Sequence, residues 1–342
     1  MKSNSASAKG GKNSTPYYIN FVLHNEREGA NYADPAIYDK MRRFSRQLGE
    51  TIVDSQAALN FQSDYVFLEN VISFEGTHAS PKKYAGKAET HDLNIIEWLN
   101  QLHEVATDPH AHDNPPCNYT DVAYLHEQLL GYPPRHLMGG FVWDEGTAFG
   151  TRTVSWLDYA DSESCFKYSK KYTWRPVILW GAARHDAVTG EKIELPAFGA
   201  WKPKGLKDLA TFTTHAPGRV MTLVSRGCII KMLPSSGTGV YDLDANVINP
   251  LRTSMNTCAA HPEGFFMQSI IIQAGYFTIT ESWNDGRTIQ LLGDIPTIVS
   301  TVNAYAAKIG IEVRWRTIQG AYNYWHDVYR ANPYYLDLTG TC

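Results

Sequence analysis

The sequence predicts an α/β fold built on parallel strands, closed or open, and three observations lead there. Through the first half of the chain, short apolar runs alternate with longer stretches whose apolar residues recur every three or four positions. Helix caps and glycine stops separate these stretches. Polar residues able to do chemistry gather just after the apolar runs, where parallel α/β folds carry their functional loops.

Residues 18–23 are a short apolar run and read as the first strand. Asp34-Pro35 then supplies a cap followed by a first-turn proline. Ile37, Met41, Phe44, Leu48 and Ile52 follow at helical spacing and predict one buried face. Residues 58–62 read as a second strand. Asp92 is the expected cap of a helix carrying Leu93, Ile96, Leu99 and Leu102, and 105–107 is a brief third strand. Residues 118–130 predict a helix with Val122, Leu125 and Leu129 on one face and Gly131 as its stop. Strands are expected at 136–143, ending in Asp144-Glu145, and at 175–180, ending near Arg184-His185-Asp186.

The segment 181–263 is loop-rich. Beyond it, 220–224 and 269–280 read as strands. Asp294-Ile295-Pro296 reads as the start of a last helix, with Ile298, Val302, Tyr305 and Ile309 buried and Gly310 as its stop. A closing strand is expected at 311–315. No internal repeat or linker stands out. The expected organisation is therefore a polar, disordered tail over 1–16 and a single domain over 17–342, with insertions in its second half.

The chain has 342 residues and a net charge of −4, which argues against nucleic-acid and membrane-surface partners. No apolar run is long enough to span a bilayer. Aromatic residues make up 12%, including 9 Trp and 20 Tyr, a composition shared by sugar-binding proteins and by well-packed cores. The five cysteines contain no Cys-x-x-Cys pair, so a cysteine-based zinc site is not expected, and their odd number leaves at least one thiol free or paired between chains. The tail lacks the apolar stretch of a signal peptide, which fits a cytoplasmic protein or the mature form of a secreted or periplasmic one. Asn13-Ser14-Thr15 and Asn118-Tyr119-Thr120 match the glycosylation pattern.

Two clusters point to a metal. Asp108, His110 and His112 fall within five residues, and His24-Asn25-Glu26 follows the first apolar run. Imidazoles and carboxylates are the usual ligands of Zn²⁺ or a similar divalent ion. Residues two apart on extended backbone share a side, so His110 and His112 can face one ion together. The expected ligands are Glu26, His110 and His112, with Asp108 as a further ligand or as the orienter of an imidazole. The competing reading is a tight polar turn that caps the helix at Asn118. A bound ion would polarise a carbonyl and acidify water, and a base and an acid would then be needed. His24 and Asp144 are the candidate bases, and His185 and His215 the candidate acids. Trp143, Trp180, Trp201 and Trp283 lie in or beside these loops and are candidate stacking faces for a sugar.

The stretch Leu102-His103-Glu104-Val105-Ala106-Thr107-Asp108-Pro109-His110-Ala111-His112 resembles the Gly-His-Glu-Ile-Gly-Ser-His-x-x-x-His segment of NodB-type polysaccharide deacetylases. His112 falls on that family's second histidine, Asp108 on the position of its first, and His110 is extra. The family's first motif, a strand ending in Asp-Asp, aligns with Leu23-His24-Asn25-Glu26, where Asn25 occupies the position of the general base. The resemblance covers roughly residues 17–145, and the family's arginine-proline motif has no counterpart here. It implies a deformed (β/α) barrel and the metal-dependent removal of an acetyl group from a carbohydrate. Two other readings stay open. One is a metal-free glycoside hydrolase pairing Asp144 or Glu145 with Glu26 or Glu281. The other is a carbohydrate-binding domain made inactive at Asn25. The oligomeric state is left open.

Overall fold

The computed structural model describes residues 15–26, 31–111, 117–140, 165, 167–168, 172–181, 183–185, 192–205, 209–233, 241–274 and 285–342. Its centre is a sheet of mostly apolar strands: β1 (Tyr17–Asn25), β2 (Leu59–Ser63), β3 (Val105–Pro109), β10 (Ile230–Met232), β11 (Phe266–Gln273) and β12 (Val313–Trp315). The order is β10-β11-β1-β2-β3, with β12 also on β1, and every pairing is parallel. A second sheet, in the order β13-β8-β9-β5-β4, holds β4 (Leu137–Met138), β5 (Ile178–Trp180), β8 (Ala197–Trp201), β9 (Thr222–Val224) and β13 (Tyr334–Asp337). A small antiparallel pair, β6 (Ala183–His185) and β7 (Lys192–Glu194), stands apart.

Alternation along β1 divides the core in two. Tyr17, Ile19, Phe21 and Leu23 face one way, into the cluster built with the helices, while Tyr18 and Val22 face the other, into a cluster with Leu137, Ile178, Trp180 and Val224 of the second sheet. A parallel sheet covered on both faces explains why its strands are continuously buried. The two sheets meet where His110 bridges Gly139 in parallel and Gly139 N donates to the Pro109 carbonyl at 3.0 Å. The expected α/β class with parallel strands is thus present. Among the described residues its parallel strands form two sheets joined by that bridge, not one continuous ladder.

Helices cover the other face. In α1 (Pro35–Asp54) the Asp34 carboxylate accepts from the Ala36 and Ile37 amides, and the predicted stripe Ile37, Met41, Phe44, Leu48 and Ile52 is buried. Full burial of each such side chain contributes roughly 1.5–3 kcal/mol. In α2 (Tyr65–Glu75) the cap is Asp64. Helix α3 (Ile95–Gln101) is capped by Asn94, not by Asp92, which takes a left-handed φ of 65° in the preceding turn. Helix α4 (Tyr119–Leu130) has a reciprocal capping box between Asn118 and Asp121 and ends at Gly131, with φ 79°.

The remaining helices are α5 (Leu209–Thr213), α6 (Asn249–Ala260), α7 (Asp285–Ile309) and α8 (Ile318–Asp327). The last long helix begins well before the expected Asp294-Ile295-Pro296 start and runs through Pro296. Thr288, Leu291, Ile295, Ile298, Val302 and Ala306 form one buried stripe across the proline, and that burial outweighs the backbone hydrogen bond Pro296 cannot make. No helix among the described residues is long and apolar enough to cross a membrane. Thr15 is buried and tied to the Pro262 carbonyl through its amide and hydroxyl, so the described chain is already anchored within the expected tail.

Candidate metal centre

Because β1, β2, β3 and β11 are parallel, their carboxyl ends share one edge of the sheet. Register sets His24 against Gln62 on one side and Gln273 on the other, and Gln62 against Asp108. His24 and Glu26 are two residues apart at the end of β1, so both side chains leave on one side. Asn25 points the other way, where the Tyr32 hydroxyl donates to its side-chain oxygen.

His110, the residue after β3, completes the group. His24 Nδ1 lies 3.1 Å from Glu26 Oε1, and His110 Nε2 lies 3.0 Å from the same oxygen. The imidazole rings are 4.6 Å apart, centroid to centroid. One ligand atom from each of the three residues lies within 4.8 Å of the others. Ligands of a tetrahedral ion at 2.0–2.1 Å stand about 3.3 Å from one another, and the two distances to Glu26 Oε1 are within a few tenths of an ångström of that spacing. Two imidazoles, one carboxylate and an open side make the donor set of catalytic zinc sites, so the residues present fit such an ion.

Partners behind these groups hold them in position. The Gln62 side-chain oxygen is 3.3 Å from His110 Nδ1, so a proton on Nδ1 leaves the Nε2 lone pair directed at the cluster. Gln273 Nε2 donates to Glu26 Oε2 at 3.0 Å and leaves Oε1 for the imidazoles. The site also depends on a glycine: a Cβ on Gly139 would lie 1.9 Å from the Gln62 side-chain oxygen.

Burial pushes the His24 imidazole down to about 4, against the Glu26 hydrogen bond that raises it, so His24 is neutral at pH 7. Burial also raises Glu26, but the His110 and His24 interactions outweigh it and hold the carboxylate well below its usual range. A neutral His24 imidazole beside an ionised Glu26 carboxylate is the pairing of protonation states that metal binding requires. Asp64, at the end of β2, is pushed up to about 7 by burial, while one of its oxygens accepts from the Val66 and Phe67 amides.

His24 and His110 open into a small cleft whose walls include Trp180, Glu194, Arg226, Lys231 and Gln273. The ring of Trp180 stands edge-on to His24 at 5.2 Å, and its indole N–H donates to Ser269 Oγ at 2.9 Å. Arg226 Nη2 lies 3.0 Å from Glu194 Oε2. Sequence reasoning missed Glu194, Arg226, Lys231 and Gln273. Arg226 did carry a signal, since it stands within three residues of the end of an expected strand, as His24 and His110 do.

The structure brings together three of the expected residues, His24, Glu26 and His110. It adds His24, expected as a base, to the group able to hold the ion. Asp108 is not in that group. It is fully buried within β3, two residues before His110, its Oδ2 accepts from Asn60 Nδ2 at 2.6 Å, and it belongs to a polar row in which Asn20 Nδ2 donates to Asn60 Oδ1 at 2.8 Å and Ser269 Oγ donates to Asn20 Oδ1 at 2.8 Å. His215 accepts from the Lys202 amide at 3.1 Å and does not line the cleft. Trp201 is a core residue: its indole donates to the Phe212 carbonyl at 2.7 Å and its ring packs edge-on against Tyr335, leaving no face for a sugar. Trp180 is at the cleft but only 2% exposed. His112, Trp143, Asp144, Glu145, Glu281 and Trp283 lie outside the described residues, as does the side chain of His185.

No family model matches the chain. No curated protein matches it either. Solved structures give distant likenesses. A GH57 branching enzyme from Thermococcus kodakaraensis, solved with glucose, has 9% identity and a TM-score of 0.42 over 91% of this chain and 71% of its own. A Mycobacterium smegmatis protein designated a candidate polysaccharide deacetylase has 12% identity and a TM-score of 0.40 over 94% of both chains. A 4-alpha-glucanotransferase from Thermococcus litoralis has 12% identity and a TM-score of 0.40 over 94% of this chain and 40% of its own. Likenesses this distant carry over neither family nor activity.

Proposed function

We propose that this protein is a metal-dependent hydrolase that removes an acyl group from a carbohydrate, with a divalent ion such as Zn²⁺ held by His24, Glu26 and His110. The observation that carries the reading is the convergence of these three side chains from the ends of two parallel strands, at the head of a cleft. When bound, such an ion polarises an acyl carbonyl and lowers the pKa of water. Gln62 and Gln273 orient the ligands, and the wall formed by Trp180 limits the approach of bulk water to His24. Asp144 remains the proposed base. His185 remains the proposed acid; it lies on β6, whose other end pairs Ala183 with Glu194 of the cleft wall. The Cys228–Cys342 disulfide supports an oxidising, extracytoplasmic location.

A metal-free reading has one observation in its favour. The Nε2 atom of His24 is buried without a hydrogen-bond partner among the described residues, while its Nδ1 faces Glu26, as in an imidazole base oriented by a carboxylate. Metal analysis decides between the two. The purified protein is loaded with Zn²⁺, desalted and assayed for metal and for acetate release from a panel of acetylated glycans. One bound ion per chain and acetate release, both lost in His110→Ala, are expected. Absence of metal after loading would transfer the chemistry to the His24–Glu26 pair. Bound metal without acetate release from any glycan would refute the deacylation.

A further inference from the structure

We propose that Arg226 and Lys231 form an anion subsite in the cleft, and that the substrate is an acidic sugar whose carboxylate docks there. This rests on the reading of the cleft as a carbohydrate site and adds the class of sugar. The geometry begins with strand order. Lys231 on β10 pairs with Ile271 on β11, two residues before Gln273, so Lys231, Ile271, Gln273 and His24 stand in adjacent register on the cleft side of the sheet. Arg226 enters from the segment between β9 and β10, its backbone held where the Ser269 amide donates to its carbonyl at 2.9 Å.

Arg226 is 3% exposed, yet it is not satisfied. Glu194 balances its charge at Nη2, while Nε makes no hydrogen bond among the described residues. A buried guanidinium presents five donors in a planar fork suited to a carboxylate, and an unmet buried donor favours any acceptor that reaches it. Lys231 has no carboxylate within ion-pair distance among the described residues, although it shares the cleft wall with Arg226. The ion pair fixes the direction of the guanidinium, and the ammonium adds the charge that Glu194 does not cancel. Neutral hexoses offer such a pair of cations hydroxyl acceptors but no charge to pair with.

The test is direct binding of an unacetylated hexuronate tetrasaccharide and of the matching neutral hexose tetrasaccharide, measured by calorimetry. Both the Zn²⁺-loaded and the chelator-treated protein are used, because a bound ion can itself attract a carboxylate. The expected result is preference for the uronate by about tenfold or more in both forms, reduced to near parity in Lys231→Ala. Arg226→Lys keeps the charge but not the fork, and weakens uronate binding while the protein keeps its circular dichroism and melting transition. Equal affinity for both sugars, no uronate binding, or a preference that vanishes with the metal would overturn the subsite. Uronate binding by a protein that releases no acetate from acetylated uronates or any other acetylated glycan would keep the subsite and refute only the deacylation.

Discussion

His110 Nε2 stands 3.0 Å from Glu26 Oε1, although the strands that carry them, β1 and β3, are not neighbours in the sheet. Strand β2 runs between them, and its Gln62 fills the gap by reaching His110 Nδ1. The contact exists because three parallel strands end at one level, the property of α/β sheets that places ligands beyond their carboxyl ends. It also makes the arrangement of these three side chains sensitive to residues outside the group.

Gln62→Ala should weaken Zn²⁺ binding by about 10–100-fold while leaving His24, Glu26 and His110 in place, since outer partners set tautomer and ring orientation. Gly139→Ala should do the same from the far side, because its new methyl group would overlap the Gln62 amide. Competition against a chromogenic chelator measures both. Unchanged affinity in both variants would show that Gln62 does not orient His110.

Asp108 supplies a prediction of opposite character. Burial raises its carboxyl to about 6, so the folded state holds its proton more tightly than the unfolded chain does. The sign follows by linkage: this contribution is complete below about pH 4 and is lost as the pH rises through about 6. Asp108→Asn should therefore stabilise the protein by roughly 1–3 kcal/mol at pH 8, and by about half as much at pH 5. Its amide oxygen can still accept from Asn60. Urea midpoints at the two pH values check this, and a large loss of metal affinity in the same variant would restore Asp108 to a role at the ion.

His126 on α4 works in the other direction. It is fully buried, and burial pushes its imidazole down to about 3. The unfolded chain takes up the proton first, so stability is intact above about pH 6.5 and falls as the pH drops from there towards 3. In His126→Leu the slope of stability against pH between 6 and 4 should be smaller by about 1.4 kcal/mol per unit. An unchanged slope would place the acid sensitivity elsewhere.

How much was legible in the sequence differs between fold and site. The helices over 35–54 and 119–130 were readable because an Asp34 or Asn118 cap and an apolar stripe agree locally. Pro296 misled because the burial that carries α7 through it comes from distant parts of the chain. At the site, Glu26 and His110 were visible as residues following strands, and His24 was visible with a different role. Asp108 was misplaced because β3 runs two residues further than its apolar run suggests, to Pro109, which turns a loop carboxylate into a strand residue hydrogen-bonded to Asn60. Arg226, Lys231 and Gln273 converge only through the order β10-β11-β1, which has no local signature.

The Cys228–Cys342 disulfide joins residues 114 positions apart and so removes a large loop from the unfolded ensemble. For a loop of that length the chain-entropy argument gives about 3–5 kcal/mol. The effect should be global rather than confined to the chain end, for two reasons. The end is already tied by other means, through β13 on β8 and the Leu338 amide on the Pro196 carbonyl at 2.9 Å. Cys228 itself sits in the central network, where its amide donates to Gln268 Oε1 at 3.0 Å and its carbonyl accepts from Gln268 Nε2 at 2.9 Å, two residues from Arg226. Cys342→Ser, or reduction of the native protein, should lower the urea midpoint for the whole cooperative transition and weaken uronate binding in parallel. A midpoint that does not move would mean that the loop constraint is already supplied by β13. A midpoint that falls with uronate binding unchanged would mean that Gln268 alone holds the segment carrying Arg226.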